Sequence, residues 1–485
     1  MNYIIVIPGG IHKGIGSVLL VAMIMLFAGC GSLKGLSNFE SACEQPAAFD
    51  GAANLSLFLN INHRNSTTNL SLKISSVEIL VDELWIPLFS EPININSADA
   101  ILTQKFIGRQ WIRGRYCRGV KIKVAGATIV RSANEQALPL VNHEVEIMLQ
   151  NPISLDVDSR KVMLIDWEPE KSVLDSGFSG LGMTAYEGGA ARITANLAYV
   201  ACPDLDTVYI VRTDKYQVVG AFAVKGSPTY LTVDATNKKI YVLASMLNKI
   251  IPYDVYTLLP TNEFLIPMAN SPIFMTVNNR TQTAFVLDAQ GVITSIDLLS
   301  GNMLMRNRVG NGPNYLYYIE GLDKLAVSSS IDQSVYLLNP DSLVVEDFVS
   351  LGSAPGGLVS LGNNLYIAES SVNAVSVYDL GARKILKKIH VGFEPTRFVT
   401  HDGSVYVTNY LDGSISIIQG EQLSVSKEMD VGKNAREMAV SEKQRLILVG
   451  AGDCNGFLAV VDTTGNHVIG QVELGAKTLG MTVID

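Results

Sequence analysis

From about residue 198 to the C-terminus the sequence repeats itself at intervals of 40 to 44 residues. Each copy opens on a short apolar strand, as in Ile240-Tyr-Val242, Leu365-Tyr-Ile367 or Val405-Tyr-Val-Thr-Asn409. A polar turn and an alternating strand follow, such as Ala374-Val-Ser-Val-Tyr-Asp379 or Ser414-Ile-Ser-Ile-Ile418. A third apolar strand leads into a turn of Gly-x-x-Pro type: Gly226-Ser-Pro228, Asn311-Gly-Pro313, Gly352-Ser-Ala-Pro355, Gly392-Phe-Glu-Pro395. A sheet of this size cannot bury both of its own faces, so the copies must stack against one another. Copies begin near Ala198, Ile240, Ala284, Leu325, Leu365, Val405 and Leu446, which gives seven units.

A repeat of this length is that of a four-stranded propeller blade. The pattern resembles the Tyr-Val-Thr-Asn family of β-propellers, whose signature stands whole at Tyr406-Val-Thr-Asn409; the resemblance spans residues 181–485. Other copies depart from it, since Ala326-Val-Ser-Ser329 and Ile447-Leu-Val-Gly450 keep the strand but lose the aromatic or the amide. The innermost strand reads Thr229-Tyr-Leu-Thr-Val233, Ile273-Phe-Met-Thr-Val277, Asn314-Tyr-Leu316 and Thr396-Arg-Phe-Val399, and once more at each end as Leu181-Gly-Met-Thr-Ala185 and Leu479-Gly-Met-Thr-Val483. One terminal copy is surplus to seven blades. Closure by the C-terminal copy is favoured, with Leu181-Gly-Met-Thr-Ala185 as the alternative.

Length and composition suit a second domain ahead of the repeats. The chain has 485 residues, 48% hydrophobic and only 17% charged, with 41 glycines, a balance suited to a β-rich globular protein with many turns. Between Leu55 and Val173 strands dominate, among them Leu55-Ser-Leu-Phe-Leu59, Val120-Lys-Ile-Lys-Val124 and Val162-Met-Leu-Ile-Asp-Trp167. Their alternation predicts half-buried strands with one wet face. The expected fold class is therefore all-β: a small antiparallel β-sandwich over residues 51–175 followed by a seven-bladed β-propeller over 181–485. Ser76-Val-Glu-Ile79, Gly114-Arg-Tyr-Cys-Arg-Gly-Val-Lys-Ile122 and Ile165-Asp-Trp-Glu-Pro-Glu-Lys-Ser172 resemble a domain of unknown function found in bacterial envelope lipoproteins.

The N-terminus reads as an address. Lys13 precedes an apolar run from Ile15 that ends in Phe27-Ala28-Gly29-Cys30. Small residues before a cysteine admit a peptidase, and the thiol can carry a diacylglycerol, so the segment resembles a lipoprotein signal. Residues 1–29 are then a signal peptide, Cys30 the lipidated residue and 30–50 a tether. Gly31 and Ser32 imply the outer membrane rather than retention at the inner one. A plain secretory signal or a retained anchor is the alternative. Cys43, Cys117, Cys202 and Cys454 remain, and Cys202–Cys454 with Cys43–Cys117 are candidate disulfides.

A net charge of −9 argues against a nucleic-acid partner. Lys105, Arg109, Arg113, Arg115, Arg118, Lys121, Lys123 and Arg131 nonetheless form a basic stretch free of acidic residues. It reads either as a strip for anionic headgroups or glycan, or as cross-strand partners of carboxylates such as Glu144, Glu146, Asp156 and Asp158. Propeller enzymes of this kind include lactonases, lyases and haem or quinone dehydrogenases. No Cys-x-x-Cys-His or phosphate loop is present, and His390, His401 and His467 fall on an outer strand, a hairpin turn and an outer strand. No cofactor, metal ligand or catalytic residue is therefore assigned. Asp204, Asp206, Asn248, Asp288, Asp332, Asn373, Asp412 and Asp453 recur in the turn after the Tyr-Val strand and read as turn formers.

The leading function is a lipid-anchored binding or scaffolding protein whose propeller face meets a protein, peptide or glycan; a lactonase- or lyase-type enzyme is the alternative. One position of the inner strand supplies the candidate ligand-binding residues: Tyr230, Phe274, Tyr315, Arg397 and Glu437, with Gly357 and Gly480 at the remaining two copies. An aromatic arc facing an ion pair suits a peptide or sugar. The structural alternative is that these side chains wedge between blades.

Overall fold

The computed structural model describes residues 51–62, 69–89, 91–99, 103–131, 134–189, 196–234 and 236–485. Cys30, Cys43 and the expected signal and tether lie outside the described residues. The described chain is all-β, and its four-stranded sheets are those of a β-propeller-like fold.

Among the described residues the N-terminal lobe has two large sheets and a two-stranded one, Val173–Leu174 with Gly177–Phe178. Six strands form the first around Asn69–Val81 and Tyr116–Arg131. Four form the second, in the order Met183–Glu187, Arg160–Trp167, Ala53–Ile61, Gln104–Ile112. Leu55, Leu57 and Leu59 meet Leu70, Leu72 and Ile79 in the core between them. The expectation of an all-antiparallel lobe is corrected here, because Ala53–Ile61 runs parallel to Arg160–Trp167. Parallel strands persist where both faces are covered, and every residue of Ala53–Ile61 is buried. Its alternate face is therefore not wet. Phe58, with Val162 and Leu164, packs against Val200, Tyr209 and Val218 of the repeats. Ser56 and Asn60 on that same face find partners there: Ser56 Oγ lies 2.9 Å from the Tyr209 hydroxyl, and Gln104 Nε2 donates to Asn60 Oδ1 at 2.8 Å.

Among the described residues the repeats form seven four-stranded antiparallel sheets. Their inner strands touch in succession, from Pro228–Asp234 through Pro272–Asn278, Pro313–Ile319, Pro355–Leu361, Pro395–His401 and Met438–Ser441 to Met481–Ile484, which touches the first again. Separate apolar clusters lie between neighbouring sheets; Phe285, Leu287 and Ile293 of one sheet meet Leu316, Leu325 and Val327 of the next. That is how units unable to bury their own faces are stabilised.

The C-terminal copy closes the ring. Met481–Ile484 pairs with Leu197–Cys202, Val200 opposite Met481 and Leu197 opposite Ile484. The other terminal copy leaves the repeats altogether: Met183–Glu187 pairs with Arg160–Trp167, and Met183 and Ala185 join the core of the N-terminal lobe. The repeat lobe's own strands thus begin at Leu197 rather than near 181.

Both candidate disulfides are corrected. Cys117 and Cys202 are free, buried thiols, and burial pushes them up to about 11 and about 12 respectively. Cys202 points into the apolar core at the ring seam beside Leu205 and Leu448, not towards the neighbouring turn. Cys454 is disulfide-bonded, but not to Cys202. The turn carboxylates and amides do more than shape their own turns. Asp206 accepts from the Ser227 amide, Asp332 from Asn311 and Asn373 from Glu394, so they pin the connections into inner strands.

Candidate functional site: the mouth of the ring

Each inner strand starts at the same end of the ring, after a turn that enters on proline in five of the seven copies. Its third residue therefore lies just inside the mouth. Proline at the strand start costs no ladder bond that the strand interior needs, and it fixes the entry angle. Tyr230, Phe274, Tyr315 and Arg397 hold this third position, while Glu437 stands just before Met438–Ser441.

The structure brings all five together. Ring centroids of Tyr230 and Phe274 are 6.1 Å apart, and those of Phe274 and Tyr315 are 4.7 Å apart, both edge-on. The Arg397 guanidinium reaches across, its Cζ 4.9 Å from the Phe274 centroid and 4.8 Å from that of Tyr315. Arg397 Nε donates to Glu437 Oε1 at 2.7 Å, and Nη1 donates to the Thr396 carbonyl at 3.2 Å. The pair is largely buried, with side chains 18% and 12% exposed. Glycine holds the remaining two copies because a side chain would collide: a Cβ on Gly357 would sit 2.2 Å from the Thr396 carbonyl oxygen, and one on Gly480 2.7 Å from the Tyr230 Cα. The three aromatics also pack against the apolar clusters between neighbouring sheets, as the structural alternative expects, while Arg397 from a more distant blade lies over two of them.

Electrostatics keep this cluster in the donor state. Burial, with the Glu437 carboxylate adding to it, pushes both the Tyr230 and the Tyr315 phenol well above the ordinary tyrosine range, against a smaller opposing pull from Arg397. Both hydroxyls therefore stay protonated and can donate. Two phenols and the free edge of a guanidinium, held rigid by cation–π contact, are built to receive an oxygen acceptor. Glu437 offsets the cation.

The remaining candidates separate. Lys121 faces Glu146 and Lys123 faces Glu144 across the strands, with ion pairs at 2.8 Å and 3.7 Å, and Lys123 also meets Glu78 at 2.9 Å. These lysines do what cross-strand pairing predicts. Lys105 and Arg109 instead join the lobes, a role the sequence reading did not assign. Lys105 Nζ lies 2.6 Å from Glu473. Arg109 donates to Ser56 Oγ, the Tyr209 hydroxyl and the carbonyls of Leu474 and Gly475. Arg160, which stood outside the basic stretch, reaches the Leu205 carbonyl and Thr207 Oγ1 while lying over Trp111. Arg113, Arg115 and Arg118 are exposed.

His401 is a correction. It ends the inner strand Pro395–His401 and is buried, with Nδ1 2.6 Å from Glu442 Oε2, because the neighbouring sheet covers it. His390 and His467 are exposed on outer strands, where the sequence put them. Among the described residues no group of three or more His, Cys, Asp or Glu side chains is placed to hold a metal ion.

No family model matches the sequence, and no curated protein matches it. Among solved structures the chain is similar to a functionally unknown protein from Desulfotomaculum acetoxidans DSM 771, with a TM-score of 0.53 and 13% identity over 60% of this chain and 99% of that one. It is also similar to the dihydro-heme d1 dehydrogenase NirN in complex with DHE, at a TM-score of 0.49 and 15% identity over 60% and 76% of the two chains. A computationally designed protein, Ika8, matches at 0.45 and 14% over 60% and 91%. At such identities the first likeness supports the propeller-like fold alone, and the other two carry no further argument.

Proposed function

We propose that this chain is a lipid-anchored protein of the bacterial envelope, attached through Cys30, in which a seven-bladed β-propeller of the Tyr-Val-Thr-Asn kind is held by a β-sandwich and binds a partner at the mouth of its ring. The sandwich extends to Glu187 and the propeller runs from Leu197. The partner is a protein, peptide or glycan, and the anchor places the chain at the outer membrane. One observation supports the binding role: side chains from five different blades converge, with the Arg397 guanidinium over Phe274 and Tyr315 and paired with Glu437. Purely structural packing would be met by aliphatic side chains there, without the cost of desolvating an ion pair.

The test uses the double variant Arg397→Ala with Glu437→Ala. Removing both partners leaves no unpaired buried charge, so stability changes little, whereas either single variant strands its partner and costs about 3–5 kcal/mol. The full-length double variant, used as bait in detergent-solubilised envelope, is expected to lose the partner that the parent retains. Retention of that partner by a folded double variant overturns the mouth as the binding surface.

A further inference from the structure

The contact between the lobes is sealed at its Arg109 end but not at the Arg212–Gln217 turn. There a cavity of about 320 Å³ opens between the N-terminal sheet and that turn. Small-molecule sites span roughly 300–1,000 Å³, so this one suits a ligand of a single ring. Its aliphatic lining is Leu164 and Val219. Gly189 adds backbone, and the other side chains are polar: Asn60, Tyr186, Glu187, Arg212, Lys215 and Gln217.

The polar wall is held before any ligand arrives. Asn60 is 4% exposed; its Nδ2 donates to Asp166 Oδ1 at 2.7 Å and its Oδ1 accepts from Gln104. The Tyr186 hydroxyl donates to the same Asp166 oxygen at 3.1 Å, which fixes the tyrosine while its residue stays 41% exposed. Two of the charges at the cavity are paired: Arg212 binds Asp214 at 2.5 Å and Glu187 binds Lys161 at 2.9 Å.

Three ligand classes can be weighed against that lining. An acyl chain needs an apolar wall, and here two aliphatic side chains are outnumbered by polar ones. A phosphate needs several converging cations, and here Arg212 is already held by Asp214 and Lys161 by Glu187, which leaves Lys215. A sugar ring presents hydroxyls that donate and accept, plus apolar C–H faces for an aromatic ring. Amides, a carboxylate, a guanidinium and a half-exposed tyrosine supply the matching groups. We propose that this cavity is a saccharide site for one uncharged pyranose, free or at the end of a longer glycan. The site is independent of the ring mouth.

The test is saturation-transfer NMR and calorimetry on the full chain in detergent, with glucose, galactose, N-acetylglucosamine, maltose and N,N′-diacetylchitobiose as probes and acetate and phosphate as controls. At least one sugar is expected to bind, with affinity falling tenfold or more in Tyr186→Ala and in Gln217→Ala. Gln217 lies at the turn, so its variant keeps the test open if loss of Tyr186 prevents folding. Tighter binding of the disaccharide than of its monomer identifies a glycan end; equal binding identifies a free sugar. The Arg397→Ala, Glu437→Ala protein should bind the same sugar unchanged. Failure of every sugar to bind, stronger binding of phosphate or acetate, or binding indifferent to both cavity variants overturns the proposal.

Discussion

Deletion of Leu479–Asp485 is expected to unfold the repeat lobe at the temperature where the parent protein is stable. These seven residues supply the whole inner strand of the first sheet. Met481–Ile484 pairs along Leu197–Val200, Leu479 and Gly480 exchange backbone hydrogen bonds with Ala201, and Asp485 holds Ser441 and the Lys443 amide. At about 1 kcal/mol net for each lost hydrogen bond, with the partners left unpaired beside an opened apolar seam, the loss is roughly 5 kcal/mol or more. A domain has about 5–15 kcal/mol in all, so little remains. Differential scanning calorimetry of the truncated chain reads this directly. A truncated protein that melts with the parent would mean the ring does not depend on its C-terminal strand.

Arg109→Ala should also have a large effect, acting on the contact between the lobes rather than within either. Its guanidinium satisfies Ser56, Tyr209 and two carbonyls of the ring while lying 5.1 Å from the Phe106 centroid. Removing it strands several half-buried acceptors at about 1 kcal/mol or more each, so a loss near 3 kcal/mol is expected. Arg109→Lys should recover little of it, since one ammonium cannot replace a planar fork spread over four acceptors. The signature is a single thermal transition that splits into two as the lobes melt apart. One unchanged transition in Arg109→Ala would show that the apolar contact around Phe58 and Tyr209 suffices alone.

How much of this was legible beforehand depends on which contacts a residue makes. The repeats were readable because strand alternation and the proline-led turns are local. The five mouth residues were found by taking the same position from each copy, and the ring then brought them together. What escaped was long-range. Ser56 and Asn60 looked like the wet side of a strand, and only docking of the repeats, more than a hundred residues on, buries them. Leu181-Gly-Met-Thr-Ala185 matches the closing strand letter for letter over Leu-Gly-Met-Thr, yet it pairs with Trp167 because Met183 and Ala185 find a core there. Pattern alone does not choose between two edges that accept the same strand. Cys202 shared a turn position with Cys454, but turn equivalence says nothing of side-chain direction. His401 counted as a turn residue until the strand proved one residue longer and a neighbouring sheet covered it.

The binding face can be tested without knowing the partner. Met246 and Phe393 are 80% and 59% exposed in turns at the mouth end of the ring, whereas Leu299, 73% exposed, lies in a turn at the other end. A photoreactive phenylalanine analogue placed singly at each position in living cells, followed by irradiation and recovery of the chain, reports which end meets another molecule. Cross-linked species are expected from Phe393 and Met246 and not from Leu299. Cross-links from Leu299 alone, or equally from all three, would contradict a partner held at the mouth.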